Sequence, residues 1–336
     1  MAEPPPRVAL AHGPTPIVKR PALDALLSVD LWIKRDDATG GVEAGNKVRK
    51  LEYLLADAGR RGADHVVTCG AVQSNHARAT AVACAALGLG CVLLLRADDP
   101  AAAAPPLAGN AFLDRLVGAE VRLISPAEYR ERGALMEAVA AELRARGRRP
   151  YVVPEGGSNG LGALGYVECM RETAEQMRAG LAGGARPFDV VVHACGSGGT
   201  AAGVALGAAR HRTARSVRAM AVCDDAAYFE RTIARIVGEA RTWDATLGDP
   251  VDVVVDDAAR GPAYAVTSPA QRETIVRVAR ESGVVLDPVY TGKAMHGLRG
   301  AVHRGDVPRG ARVLFLHTGG LPGLLAQADG FGAELA

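Results

Sequence analysis

Lysine is scarce in this chain. Only five of the 39 basic residues are lysine (Lys19, Lys34, Lys47, Lys50 and Lys293), and the other 34 are arginine. Basic surface is therefore made with arginine, and each lysine is a candidate for work that arginine cannot do. A lysine amine can lose its proton and attack a carbonyl, whereas guanidinium stays charged. Skewed codon usage would also deplete lysine, so the scarcity is a pointer only. Two of the five open one apparent helix, in AGNKVRKLEYLL from Ala44.

Other shortages exclude whole classes of function. Aromatics make up only 4% of the chain, so the core must be built from Ala, Val and Leu. The six cysteines (Cys69, Cys84, Cys91, Cys169, Cys195, Cys223) form no CxxC and no paired metal spacing. This fits a reducing compartment and thiols buried as small hydrophobes. Nothing resembles HExxH or a Cys/His zinc cluster, so no metal is expected. No run of 18 apolar residues occurs, and MAEPPPRVALAHGPTPIVKR has no apolar h-region. A soluble, cytoplasmic protein without a membrane partner is the expectation. A net charge of +2 gives no argument for nucleic acid. The RARGRR stretch at 144–149 is short and reads as a solvated helix end.

What is present is a repeated unit. In HVVTCGAVQSNHARATAVACAALGLGCVLLLRA a strand near 65–69, a turn at 70–75 and a helix to about 87 lead to a strand at 91–95. FDVVVHACGSGGTAAGVALGAARH followed by VRAMAVC, and ARVLFLHTGGLPGLLAQA, repeat the pattern. Continuous Val/Leu runs alternating with helices predict an α/β fold with parallel sheets covered on both faces. In such sheets ligands sit at the carboxyl ends of strands, where all three turns lie. The Ala/Pro run at 100–106 reads as a loop, and ISPAEYRERGALMEAVAAELRARG as one capped helix. The EGGSNG cluster marks a crossing between two lobes.

Taken singly, the turns stay ambiguous. CGSGGTAAG (195–203) offers backbone N–H groups at a helix N-terminus, either a phosphate cradle or a glycine turn that lets helix pack on strand. No Gly-Lys-Ser/Thr follows, so it is not a P-loop. No acidic residue ends the next strand, which argues against a dinucleotide site. In GAVQSNHAR, Ser74 or Asn75 needs to be no more than a helix cap. In HTGG, Thr318 reads equally as the end of a strand, and His317 as structural or catalytic. Asp36-Asp37 in IKRDDATG reads as a surface turn paired with Lys34 or Arg35. Tyr290, in LDPVYTGKAMHGL, either caps the core or presents its ring to a cleft.

Together, a phosphate cradle, an imine-forming lysine and turns at strand ends suit one cofactor, pyridoxal 5'-phosphate (PLP). KRDDATGGVEAGNKVRKLEYLLADA, QSNHAR, PEGGSNGLGALGY, CGSGGTAAGV, LDPVYTGKAMHGL and HTGGLPG, in that order, resemble the D-cysteine desulfhydrase and 1-aminocyclopropane-1-carboxylate (ACC) deaminase family. These are fold-type II PLP enzymes related to the tryptophan synthase β-subunit. The likeness covers most of the chain, from Pro14 to Ala326.

The resemblance implies a two-lobed α/β fold with the cofactor in the cleft. The large domain would be 1–50 and 162–336, the small one 51–161, and the protein a homodimer. It implies that Lys47 forms the imine with the cofactor and that the Lys50 backbone N–H lies near the phosphate. Cys195, Gly196, Ser197, Gly198, Gly199 and Thr200 would hold that phosphate. Asn75 would bond the ring hydroxyl, and Ser74, Asn75 and His76 would bind the substrate carboxylate. Tyr290 would stack on the ring and move protons, with Tyr264 nearby. Ala44 departs from the usual glycine, which puts the local turn in question.

Within the family, deaminases carry an acid after the tyrosine, at the pyridine nitrogen. Here that residue is Thr291, and HTGG offers Thr318. A hydroxyl can donate to an unprotonated ring nitrogen and gives a weaker electron sink. His76 also replaces the glutamine typical of deaminases. A weaker sink suffices when thiolate leaves, since its conjugate acid has a pKa of about 8.5 against about 15.7 for water, roughly 10 kcal/mol at most. The expected reaction is α,β-elimination from D-cysteine or a related β-substituted amino acid to pyruvate, ammonia and sulfide. A cysteate sulfo-lyase, or a biosynthetic enzyme acting on another β-substituted amino acid, shares every residue named, and an ACC deaminase is the less favoured alternative. A catalytically dead binder of phosphate ligands is the alternative from another class.

Overall fold

The computed structural model of the chain describes residues 5–100 and 107–335. Most of the Ala/Pro run read as a loop therefore lies outside the described residues. Among the described residues ten strands form two sheets: β1 (Ile17–Lys19), β2 (Asp30–Lys34), β3 (His65–Ala71), β4 (Gly90–Arg96), β5 (Glu120–Ile124), β6 (Pro150–Val152), β7 (Val190–Cys195), β8 (Ser216–Ala221), β9 (Asp252–Asp256) and β10 (Arg312–Leu316). One sheet has the order β1-β2-β10-β7-β8-β9 and the other β5-β4-β3-β6. Every pairing is parallel except β1 with β2. All residues of β7 and β10 are buried, as continuous apolar runs require when helices cover both faces.

Each sheet has a point where strand order reverses. In the larger it falls between β7 and β10, in the smaller between β3 and β6. Crevices open at the carboxyl ends of strands at such points. Here they place Cys195, Thr318 and Ser74 at the mouths of the two sheets.

Helix Gly160–Arg178 packs against both the lysine-bearing helix and the helix that follows β7. A Cβ on Gly165 would lie 2.2 Å from the Arg49 carbonyl oxygen, and one on Gly203 would lie 2.1 Å from that of Ala163. Glycine at these two positions lets the helices Asn46–Arg60 and Gly199–His211 approach the central helix backbone to backbone. One buried cluster, with Leu51 and Leu54, Val66 and Leu93, Leu161 and Ala201, runs through both lobes.

The lysine-bearing helix is also anchored by charge. Arg49 donates to Asp36 through Nε (2.9 Å) and Nη2 (2.8 Å), and to Glu172 through Nη1 (3.0 Å). Tyr166 donates to the same Asp36 at 2.7 Å, and Lys34 pairs with Glu172. This corrects the expectation for Asp36, which is fully buried, while Asp37 does pair with Arg35. Removing one partner of such a buried network typically costs about 3–5 kcal/mol.

The segment read as one capped helix is two. Ser125 and Glu128 form a capping box for Pro126–Arg130, and Glu131 breaks the chain before Arg132–Ala145. The break turns Tyr129 and Arg132 towards the cleft, which both residues line.

Candidate active site

The N-terminus of helix Asn46–Arg60 abuts the end of β10. The Asn46 amide donates to the Thr318 carbonyl at 3.2 Å, and its side chain donates to Thr200 Oγ1 at 3.1 Å. Gly45 has φ +125°, and a Cβ there would lie 2.9 Å from the Thr318 carbonyl oxygen. Glycine is thus required at 45. Ala44 does not adopt positive φ, and its carbonyl accepts from Arg78 at 3.1 Å. The alanine that departs from the usual pattern is therefore accommodated without strain.

Lys47 projects from this junction into a recess lined by Asn46, Asn75, His193, Cys195 to Gly198, Thr200, Tyr290 and Thr318. Its Nζ has no hydrogen-bond partner among the described residues. Burial lowers its pKa to about 8, with Glu155 and then Cys195 pulling the other way. At neutral pH an appreciable fraction is the free amine, the form that attacks carbonyls.

Lys50, one turn further on, is buried. Its side chain, rather than its backbone N–H, reaches the glycine loop: Nζ donates to Ser158 Oγ (3.0 Å) and to the Gly156 carbonyl (3.2 Å). Its backbone nitrogen faces the central helix instead, 2.9 Å from where a Cβ on Gly165 would lie. Ser158 Oγ in turn meets Ser197 Oγ at 2.8 Å and accepts from the Gly199 amide at 3.3 Å. Burial and the neighbouring Lys47 charge both hold Lys50 well below its ordinary range. No carboxylate pairs with either lysine among the described residues.

These features fit PLP on their own terms. Two buried lysine amines with no carboxylate partner among the described residues, beside the N-terminus of helix Gly199–His211, would both be held charged by an anion bound between them. The first-turn amides of Thr200 and Ala201 have no intrahelical acceptor. At Gly199 a Cβ would lie 2.9 Å from Lys50 Nζ and 2.7 Å from Ser158 Oγ, so only glycine leaves the cradle open. The free amine of Lys47 supplies the partner for an aldehyde.

Across the recess, helix Asn75–Ala86 begins. Ser74 caps it, accepting from the Ala77 amide at 3.2 Å. The amides of Asn75 and His76 are left facing outward as its first two residues. Asn75 Oδ1 accepts from Asn110 at 2.9 Å, and Asn75 lines the recess. Thr68 Oγ1 donates to the Val153 carbonyl at 2.8 Å and lies 2.8 Å from His76 Nε2. The hydroxyl proton being committed, His76 Nε2 carries the hydrogen and Nδ1 the lone pair. Burial, then the charges of Lys47 and Lys50, keep His76 neutral. Its imidazole cannot donate from Nδ1 to a carboxylate; its backbone amide can.

The recess opens through Lys47, Gly196, Ser197 and Tyr290 into a cleft of about 810 Å³ that also takes in Ser74, His76 and Tyr264. The Tyr264 and Tyr290 hydroxyl oxygens are 2.6 Å apart, with the rings edge to face. Burial pushes Tyr264 up to about 12 and Tyr290 well above its usual value, so both stay protonated. Thr291, buried, donates to Asp287 Oδ1 at 2.7 Å and faces away from the recess, which Thr318 lines. Of the two threonines weighed for the ring nitrogen, only Thr318 lines the recess. His317 is structural: its Nδ1 accepts from the Gly319 amide, and its Nε2 reaches the Val285 carbonyl at 2.9 Å.

Several lining residues carried no sequence signal. Arg96 ends β4 with its guanidinium over the rings of Tyr129 (5.3 Å) and Tyr264 (5.5 Å). Glu155 accepts from the Tyr129 hydroxyl at 2.5 Å and pairs with Arg132 at 2.8 Å. His193 Nδ1 donates to the Ala194 carbonyl at 2.9 Å, which leaves Nε2 as a buried, unpartnered acceptor. The EGGSNG segment, read only as a crossing, contributes Ser158 to the cradle.

Comparison with known proteins agrees with this geometry. The family described as pyridoxal-phosphate dependent enzyme matches residues 8–319. The mitochondrial bifunctional D-cysteine desulfhydrase/1-aminocyclopropane-1-carboxylate deaminase of Arabidopsis thaliana is 43% identical over 329 residues, 96% of this chain and 80% of the relative. A D-cysteine desulfhydrase of Yersinia enterocolitica is 39% identical over 324 residues, 96% of each chain. The crystal structure of an ACC deaminase homologue superposes with a TM-score of 0.86 at 36% identity, covering 98% of this chain and 96% of that one. The α/β, fold-type II architecture is borne out, and the chain belongs to the pyridoxal-phosphate-dependent enzymes, in the family of D-cysteine desulfhydrases and ACC deaminases.

Proposed function

We propose that the protein is a carbon–sulfur lyase that eliminates the β-substituent of D-cysteine, or of a related β-substituted amino acid, to give pyruvate, ammonia and sulfide. One observation carries this choice within the family. No carboxylate lines the recess among the described residues, and its polar lining includes the neutral Thr318 hydroxyl, which would serve the ring nitrogen. That environment suits departure of a good leaving group better than the opening of a cyclopropane.

PLP, when bound, supplies an aldehyde for the substrate amine and a ring that holds the electrons released at Cα. Lys47 would hold it through its amine, Lys50, Ser158, Ser197 and the amides of the Gly199 helix would take its phosphate, and Asn75 and Thr318 would contact its ring. The substrate carboxylate is held by the Ser74 hydroxyl and the amides of Asn75 and His76 at a helix N-terminus. Lys47, whose amine is partly free at neutral pH, takes the α-proton. The Tyr290 hydroxyl, which burial keeps protonated, acts as donor, steadied by Tyr264.

The test is release of sulfide and pyruvate from D-cysteine, with L-cysteine and ACC in parallel. Equimolar products from D-cysteine alone support the reading, and ACC consumption without sulfide overturns it. One observation favours a second reading, elimination of sulfite from a β-sulfonate. Among the described residues Arg96 pairs with no carboxylate, and it is stacked on two tyrosines, where an anionic substituent would meet it. Preference for cysteate over D-cysteine, lost in Arg96→Met, would select it. A homodimer and a cytoplasmic location complete the proposal. Support for the dimer is an apolar surface groove lined by Val285, Leu325 and Leu335, and light scattering tests it.

A further inference from the structure

Lys293 is the one lysine whose placement neither the cofactor site nor a surface or core ion pair explains. It is fully buried in the first turn of helix Thr291–Arg304, three residues after Tyr290. A cation there faces the positive end of the helix dipole, so helix stability does not account for it. Its Nζ donates to three backbone carbonyls: Arg260 at 2.6 Å, Ala263 at 2.9 Å and Val222 at 3.2 Å. Val222 directly follows β8, and its amide donates to the Cys195 carbonyl at 3.0 Å. Arg260 and Ala263 belong to the irregular turn that delivers Tyr264. That turn holds Ala265 at φ 61°, a left-handed conformation unusual for alanine.

Three carbonyl oxygens converging on one buried point form a cation site. An ammonium has three N–H donors for three acceptors, whereas a neutral amine has two and would leave one carbonyl unpaired. Guanidinium, a planar fork, cannot converge on that point. We propose that Lys293 is a positioning residue whose ammonium stands where a monovalent cation would otherwise bind, fixing the 260–263 turn so that the Tyr264 hydroxyl meets that of Tyr290. Tyr290 and Lys293 lie on one helical turn, so the tether that places Tyr264 is referenced to the residue it must touch.

Lys293→Ala removes the ammonium and leaves its three carbonyls facing a hole. In tetramethylammonium chloride, too bulky for the hole, the variant should turn over at least about tenfold more slowly than wild type, the scale of losing an interaction within one coupled network. Potassium or ammonium chloride at the same ionic strength should restore most of that loss, and the wild type should not distinguish the three salts. The thermal midpoint of Lys293→Ala should follow the same order of salts. That readout does not depend on the proposed lyase reaction, so failure of the reaction assignment and failure of this inference are separable. Undiminished activity, or a loss that no small cation restores, overturns the proposal. Should Lys293→Ala fail to fold in every salt, Lys293→Gln keeps two donors in the same space. Tyr264→Phe should then cost less than about twofold on top of it, whereas additive losses would contradict the assignment.

Discussion

Lys47 and Lys50 leave one helix a single turn apart and meet opposite fates. Lys50 is tied to Ser158 and Gly156, whereas Lys47 is left without a hydrogen bond, its pKa lowered to about 8. One is fixed by hydrogen bonds beside the cradle and the other is kept as an unpaired, reactive amine.

This division sets a pH dependence for the cofactor-free protein. Folding lowers the pKa of Lys47 from 10.5 to about 8, so between those values the unfolded chain binds more protons than the native one. Stability should therefore rise with pH across about 8 to 10.5. Lys50 is shifted in the same direction. Lys47→Met should flatten part of that rise, as followed by chemical denaturation at a series of pH values. Cofactor capture by the wild type should speed up with pH and level off above about 8.

Lys50→Ala should weaken PLP binding by about 10- to 100-fold, the range for one charge-assisted hydrogen bond to phosphate. Lys50→Arg should not restore it, because the fork has no room against Gly199 and Ser158. Absorbance titration of the cofactor-free protein measures both.

Tyr290→Phe should lower turnover by about 10²- to 10⁴-fold, the usual worth of a positioned proton donor, with cofactor binding little changed. Tyr264→Phe should have a smaller effect of the same kind, since it acts through Tyr290. Steady-state kinetics alongside the cofactor absorbance separate the two effects.

Asp114 gives a test of stability away from the site. It is fully buried, and neither carboxylate oxygen has a hydrogen-bond partner among the described residues. Burial raises its pKa from 3.8 to about 7, against the pull of Arg78. Here the native state binds the extra proton, so stability falls as pH rises from about 4 to 7. Asp114→Asn should stabilise the protein above pH 7, by at most about 4 kcal/mol for a shift of that size, and have no effect below about pH 4.

The parts of the site legible in the sequence share one origin. Lys47, the 195–200 loop, Ser74 to His76, Tyr290 and Thr318 all lie where a strand or turn hands over to a helix, a handover that glycine, serine and asparagine announce locally. The crossing that carries Glu155 and Ser158 was legible in EGGSNG, but the partners of those two residues, and the approach of Arg96 to Tyr129 and Tyr264, come from segments distant in the chain, which no local pattern encodes. Asp36 shows the reverse error. KRDD looks like a charged surface turn, yet Arg49 and Tyr166, far along the chain, enclose it and make it an anchor of the lysine helix. The break at Glu131 was hidden because helix-forming residues continue through it.

The most direct test of the central claim compares sulfide and pyruvate release from D-cysteine by the wild type and by Lys47→Ala, both supplied with PLP. Equimolar products are expected from the wild type and none from the variant. Sustained release by Lys47→Ala, or a wild type that leaves D-cysteine intact while consuming ACC, would contradict that claim.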